Sequence, residues 1–346
     1  MTSIGVIIIG RNEGPRLLTC LESIRMGTER SVVDIVYVDS NSTDDSVELA
    51  NRHAHVITLD PKLPFTAARA RNAGAETLLA RHPEITYLQF LDGDTELDPT
   101  WLKHAATYLD HHPAIAVVCG RRRERAPEAT VYNRLADMEW DTPIGPATEF
   151  GGDALLRAAA FQQLGGYSPH FIAGEEPEFA ARLRLAGHQI VRLNHEMTKH
   201  DLAMTSIVQW WRRNVRSGHA LAQLAHTHGS APLYLYRKQW RSTLFWTLGV
   251  PLLIFLLALF SAWALLLLPL AYATLAARIL RYRLRRRDDR TSACIYAAFT
   301  TLGKFPQLVG MTTFYRNLWR KRQSTLIEYK PAVTAANPSP TAIGST

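Results

Sequence analysis

A chain of 346 residues with 47% hydrophobic content can bury a full core and is expected to carry more than one structural unit. Its net charge of +8 argues against a nucleic-acid partner once the charges are located. The first 230 residues mix both signs, whereas "RILRYRLRRRDDR" from Arg278 and "RNLWRKR" from Arg316 lie beside apolar sequence, as membrane-flanking clusters do.

Ile4 to Ile9 is a continuous apolar run of buried-strand length, and Pro15 opens a helix with Leu17, Leu18, Leu21 and Ile24 on one side. A strand over Asp34–Val38, a helix over Thr43–Arg52 and a short strand over Val56–Leu59 follow. The pattern then predicts a helix over Thr66–Arg81, a strand over Tyr87–Leu91, a helix over Pro99–Leu109 and a strand over Ala116–Cys119. Alternating strands and helices predict an α/β fold, a mostly parallel, Rossmann-like sheet with helices on both faces. Ligands of such sheets bind beyond the carboxyl ends of the strands. Three polar clusters fall there: "GRNE" at 10–13, Asp39 with "SNSTDD" at 40–45, and Asp92-Gly93-Asp94. Taken singly, "SNSTDD" also reads as a helix cap.

Two aspartates at the end of a buried strand repel unless a cation or donor array neutralises them. A calcium loop of the EF-hand type needs Gly at its sixth position and Glu at its twelfth. Counted from Asp92, these are Leu97 and Lys103. A dehalogenase-type phosphatase expects Thr or Val where Glu96 stands. What remains is a solvated turn ahead of the helix at Pro99, or a hard divalent cation whose shell is completed by ligand phosphates.

The segments "VIIIGRNEGPRLLTCLESI", "VDSNSTDDS", "ARARNAGAE", "FLDGDTEL" and "GEEPEFAARLRLAG" together resemble the family 2 glycosyltransferases of GT-A fold, in the expected order over roughly residues 1 to 225. The resemblance implies a nucleotide-diphosphate sugar donor and a Mg²⁺ or Mn²⁺ cofactor. It assigns Arg11, Glu13 and Asp39 to the nucleotide, Arg71 and Asn72 to the nucleotide and sugar, Asp92 to the ribose or donor sugar, and Asp94 to the metal. The family usually carries Glu-Asp where this chain has Glu175-Glu176, so Glu176 takes the place of the general base in an inverting displacement. Acids at a helix start are also what the helix dipole favours by itself. His200 is a candidate further metal ligand or phosphate contact, against the plain reading of a structural histidine. "QWWRR" at 209–213 is similar to the Gln-x-x-Arg-Trp motif of processive members, with Arg213 where Trp is expected. Gln209, Trp211 and Arg212 are thereby assigned to the acceptor or pyrophosphate side, or to an amphipathic helix on a membrane surface, and Glu175 is assigned to the same acceptor or pyrophosphate side. A nucleotidyltransferase would show a Gly-rich phosphate loop after the first strand, where only Gly10 and Gly14 occur. An inactive GT-A scaffold would not need Asp92, Asp94 and Glu176.

Ser242 to Ala277 is a run of 36 residues without a charge. As one helix it would extend roughly 54 Å, well beyond a membrane core of about 30 Å. A hairpin turning near Ser261-Ala262-Trp263, over about residues 242–280, keeps both basic flanks on one side. Thr291 to Tyr315 carries Lys304 and Pro306 and is expected to be interfacial or re-entrant, with a third crossing as the alternative. The start "MTSIGVIIIG" lacks a basic stretch, and Cys20, Cys119 and Cys294 show no metal-binding spacing. These features predict a catalytic domain over 1–230 facing the cytoplasm and a membrane-associated region over 231–330. The chain is then a multi-pass protein of the cytoplasmic (inner) membrane whose acceptor is a lipid-linked or cell-envelope glycan. The tail over 331–346, rich in Pro, Ala, Ser and Thr, is expected to be disordered.

Overall fold

The computed structural model describes residues 3–26 and 32–322; the tail expected to be disordered lies outside them. In chain order the first part contains β1 (Ile4–Gly10), α1 (Pro15–Met26), β2 (Val32–Asp39), α2 (Ser46–Asn51), β3 (His55–Thr58), α3 (Ala67–Arg81) and β4 (Tyr87–Asp92). It continues with β5 (Thr95–Leu97), α4 (Trp101–His111), β6 (Ile115–Glu124), α5 (Val131–Trp140), β7 (Gly145–Ala147) and β8 (Ala154–Arg157). The last elements of this part are α6 (Ala158–Gln163), α7 (Glu175–Leu185), β9 (Gln189–His200) and α8 (Ile207–His228). The strands form one sheet in the order β3-β2-β1-β4-β8-β6-β9-β5, with β7 paired to β9.

The first four strands in this order are parallel, as the alternation predicts. β1 has both faces covered, which is why it reads as an unbroken apolar run. Its register explains the convergence of the polar clusters: Gly10 pairs with Asp39 on one side, and Ile9 with Asp92 on the other. The other half of the sheet is mixed. β8 runs antiparallel between β4 and β6, and β5 runs antiparallel to β9 with Thr95 opposite His200. That last pairing carries His200 to the aspartate turn from far along the chain.

β6 continues past the expected Cys119 to Glu124, so the Arg121–Arg125 run is largely strand. α2 starts at Ser46, later than expected, because the preceding residues form a cross-linked turn. Ser46 Oγ accepts from the backbone N–H groups of Glu13 and Gly14 (3.0 and 2.9 Å), and Asn12 Oδ1 accepts from Thr43 N (2.7 Å). Asn12 and Asn41 both adopt positive φ, which Asn tolerates better than most residues.

Beyond α8, two helices are long and apolar enough to cross a membrane among the described residues: Arg237–Ala258 and Ala262–Arg285, with mean hydropathy 1.6 and 1.7. The break between them falls where the hairpin turn is expected, and Phe260 (91% exposed) and Trp263 (79%) stand open there. The 291–315 stretch folds as two helices, Arg290–Leu302 and Lys304–Trp319, separated at Gly303. The second crosses α8 at backbone contact: a Cβ on Gly218 would lie 2.0 Å from Gln307 O, and one on Gly310 2.0 Å from Val215 O. Not all of the Arg278–Arg290 cluster faces outward. Arg283 is buried with its guanidinium carbon 4.4 Å from the Tyr296 ring centre, and Arg286 donates to Asp141 O (2.7 Å). Arg278, Arg281, Arg285, Arg287 and Arg290 remain exposed.

Candidate active site

A cavity of about 420 Å³ lies over the carboxyl ends of β1 and β4. Arg11, Glu13, Arg71, Asp92, Asp94, Glu175, Glu176 and His200 all line it. In its lining the Arg11 guanidinium carbon lies 5.8 Å from the centre of the Phe65 ring, a planar pair suited to a stacking ligand. Asp39 is fully buried behind Ser40; its carboxylate accepts from Ser42 N (2.8 Å) and Tyr37 Oη (3.2 Å) and shapes the loop from beneath.

The centre of the site is a charge network built on Arg71, which α3 holds at 2% exposure. Its guanidinium reaches Asp92 Oδ1 (3.0 Å), Glu175 Oε1 (2.8 Å) and Glu176 Oε1 (3.2 Å). Arg122, from β6, donates to Asp92 Oδ2 (3.1 Å) while its guanidinium carbon lies 4.8 Å from the Trp140 ring centre. Burial alone would raise the Asp92 pKa, but Arg71 and Arg122 outweigh it and hold the carboxyl below its usual range. Asp92 is therefore neutralised first by two arginines. Beneath it, Asp153 accepts from Asp92 N (3.2 Å) and from Thr198 Oγ1 (2.7 Å), and burial pushes its pKa up to about 6.

Asp94 is buried, with Oδ1 3.2 Å from His200 Nε2. Ligand atoms of Asp92, Asp94 and His200 all lie within 4.8 Å of one another. Two carboxylates and an imidazole converging on a cavity form a donor set that fits a divalent cation such as Mn²⁺ or Mg²⁺. Trp140 fixes the imidazole from the side, with ring centres 4.9 Å apart and planes at 77°.

Glu175 and Glu176 open α7, whose N-cap Gly174 has φ +82°, a conformation that a side chain would strain. The two carboxylates differ in setting. Glu175 makes the shorter contact to Arg71, whereas burial, then the neighbouring Glu175 charge, pushes the Glu176 pKa up to about 7 despite Arg71. A carboxylate poised near neutrality at a cavity wall is what general-base catalysis requires.

A second cavity, of about 640 Å³, adjoins the first. Both are lined by Arg122, Trp140, Glu175, Glu176, Arg213 and Arg216, so Glu176 stands at their junction. The second cavity continues between α7 and α8 to Tyr236, Gln239, Lys304 and Gln307.

Besides Asp39, which is buried and lines neither cavity, four sequence assignments land elsewhere. Asn72 lines neither cavity, its amide closing a pair of bonds with the Tyr167 backbone (2.7 and 2.8 Å). Gln209 is the return half of a capping box with Ser206 at the start of α8. Trp211 and Arg212 are exposed and line neither cavity. Arg213 and Arg216 take the positions expected of them, because helical rotation presents that face of α8. Arg213 meets Glu139 at 2.8 Å. Arg122, Trp140, Asp153 and Phe65 carried no motif. Only the alternation of a strand through the Arg run would have aimed Arg122 inward.

Residues 5–173 match the family model described as glycosyl transferase family 2. An O-antigen chain rhamnosyltransferase of Salmonella anatum is 26% identical over 180 residues, covering 48% of this chain and 56% of the relative. Glucomannan 4-beta-mannosyltransferase 2 of Arabidopsis thaliana is 27% identical over 149 residues, 40% of this chain and 27% of the relative. The matched region thus spans about half or less of these curated relatives. Among solved structures, a mannosyltransferase from Pyrobaculum calidifontis in complex with GDP-Man and Mn²⁺ superposes with a TM-score of 0.55 at 19% identity, covering 92% of this chain and 88% of that one. The fold is GT-A, followed by a helical C-terminal region.

Proposed function

The chain belongs to glycosyl transferase family 2 through residues 5–173, and on that premise we propose that it moves a sugar from a nucleotide-diphosphate donor to an acceptor hydroxyl, with inversion at the anomeric carbon. The observation that carries this reading is the junction at Glu176, where two cavities meet over one Arg71-centred network. The first cavity takes the donor. Arg11 and Phe65 receive the base, and the loops cross-linked through Asn12, Ser42 and Ser46 present the ribose side. Asp94 and His200, with Asp92 beside them, would hold Mg²⁺ or Mn²⁺, which supplies neutralising charge for the diphosphate leaving group.

Arg71 holds Asp92 and both glutamates in fixed relation, so the sugar and the base share one reference point. The acceptor oxygen enters from the second cavity, with its proton directed to a Glu176 carboxylate oxygen. It forms a bond to the anomeric carbon as the bond from that carbon to the phosphate oxygen breaks on the opposite side. The nucleoside diphosphate departs with the bonding pair.

The hairpin anchors the chain in the cytoplasmic membrane, and the exposed arginines after it meet anionic headgroups on the catalytic side. The acceptor is a lipid-linked or cell-envelope glycan. The test is incubation of the full chain with a panel of nucleotide sugars, Mn²⁺ and lipid extract, with Asp94→Asn as control. Metal-dependent nucleoside diphosphate release that this variant abolishes supports the reading; no release with any donor overturns it.

A further inference from the structure

The second cavity is lined by carboxylates and by cations, and most of them are matched. Arg213 meets Glu139, Arg122 meets Asp153 (3.4 Å) and Asp92, and Glu149 accepts from Tyr236 Oη. Lys304 differs. It is half-buried and lines the cavity, and its ammonium makes no hydrogen bond or ion pair with any of the described residues. It also opens a helix, Lys304–Trp319, where the dipole disfavours positive charge. Burial lowers its pKa, the direction expected of a partly dehydrated ammonium without a counter-charge. A cation kept at such a place is stabilised when an anion arrives.

The position of Lys304 says where that anion comes from. On the same cavity wall are Gln239, in the first turns of the membrane-length helix Arg237–Ala258, and Tyr236 just before it. Gln307, one turn beyond Lys304, is 3.2 Å from the Thr243 hydroxyl of that helix. The opposite end of the cavity is Glu176. The space therefore runs from the base to the foot of the hairpin, a path for a molecule whose reactive hydroxyl and membrane anchor lie at different ends.

We propose that this second cavity is the acceptor subsite and that Lys304 binds a phosphate group of a lipid-borne acceptor, holding it so that its sugar hydroxyl reaches Glu176. The proposal rests on the glycosyl-transfer reading above for the role of Glu176, but the anion site can be tested without turnover.

The probes are geranylgeranyl monophosphate, the alcohol geranylgeraniol and inorganic phosphate, titrated against the full chain in neutral detergent with EDTA present. The chelator keeps any cation-dependent diphosphate binding in the first cavity out of the signal. Binding of the lipid phosphate, weakened about tenfold or more in Lys304→Gln and retained in Lys304→Arg, supports the proposal. The two variants share the loss of the native lysine, so a packing defect would move both, and thermal unfolding of each checks the fold. Equal affinity for the alcohol, or unchanged affinity in Lys304→Gln, overturns the proposal. Inorganic phosphate binding as tightly as the lipid phosphate overturns the lipid-borne part and assigns Lys304 to a soluble phosphorylated acceptor. Nucleoside diphosphate release without acceptor, measured on Lys304→Gln, separates the two readings. Release should stay at the wild-type level, whereas failure of the glycosyl-transfer reading removes release from the wild type itself.

Discussion

The sheet domain and the C-terminal hairpin spend the same kind of residue in opposite ways. In the sheet domain Ile7, Ile8, Leu88 and Phe90 are fully buried, and the polar groups are gathered at one edge. In the hairpin Leu252, Leu253 and Phe255 are about as apolar, yet each is more than half exposed. Water does not favour the second arrangement, since each buried methylene is worth about 0.8 kcal/mol. Lipid does favour it. The comparison also places the chemistry, because the cavities that share Glu176 reach from the sheet edge to the foot of the hairpin. On the proposed reading, a donor in the first cavity and a lipid-borne acceptor in the second would meet at Glu176.

The sharpest way to break this division of labour is at the donor end. Asp94→Asn should lower cation-dependent nucleoside diphosphate release about 100- to 1000-fold, the scale for losing one element of transition-state charge stabilisation. The variant should leave lipid-phosphate binding in EDTA unchanged. Glu176→Gln should reduce transfer to acceptor by a comparable factor, about 10² or more, while nucleotide-sugar binding, read by calorimetry, persists. Full transfer by a folded Glu176→Gln protein would remove the base assignment.

Two further changes test how the halves are joined. Gly310→Val places side-chain atoms against the α8 backbone, where even a Cβ would stand 2.0 Å from Val215 O. Overpacking of this kind costs about 1–3 kcal/mol and should appear as a lower unfolding temperature with weakened transfer, since α8 carries Arg213 and Arg216. The smallest expected effect is a pH shift. Glu176, raised to about 7, is protonated below that pH and a base above it, so transfer should climb through about pH 7 and then level off. Glu175→Gln removes a like charge and frees Arg71 to act on Glu176. Both effects lower the Glu176 pKa, so the acid limb of the profile should move to lower pH. A limb that does not move would assign it to another group.

Much of the candidate site was legible because its parts follow strands. Arg11, Glu13 and Asp92 come at or just after strand ends, and parallel strands in register carry such ends to one edge. Asp39 was legible as a neighbour of that edge but not as a residue buried under Ser40, since one position along a turn reverses what a side chain faces. Asn72 follows Arg71 directly, yet on a helix adjacent residues point about 100° apart, and Asn72 closes onto Tyr167 instead. The same rotation separates Trp211 from Arg213 and Arg216, whereas Arg212, one turn before Arg216, is exposed and lines neither cavity.

By itself the sequence determined the strand-helix alternation, the DxD turn, the paired glutamates of α7 and an uncharged run of membrane length. All of these are local patterns, set by side-chain period, strand-end placement and composition. Tertiary structure alone decided that Arg71 and Arg122, not a cation first, neutralise Asp92, and that His200 reaches Asp94 through the β5–β9 pairing. It also decided that Lys304 lines a cavity ending at Glu176. Each of these joins residues 21 to 128 positions apart, and no local period encodes a charge met across that distance.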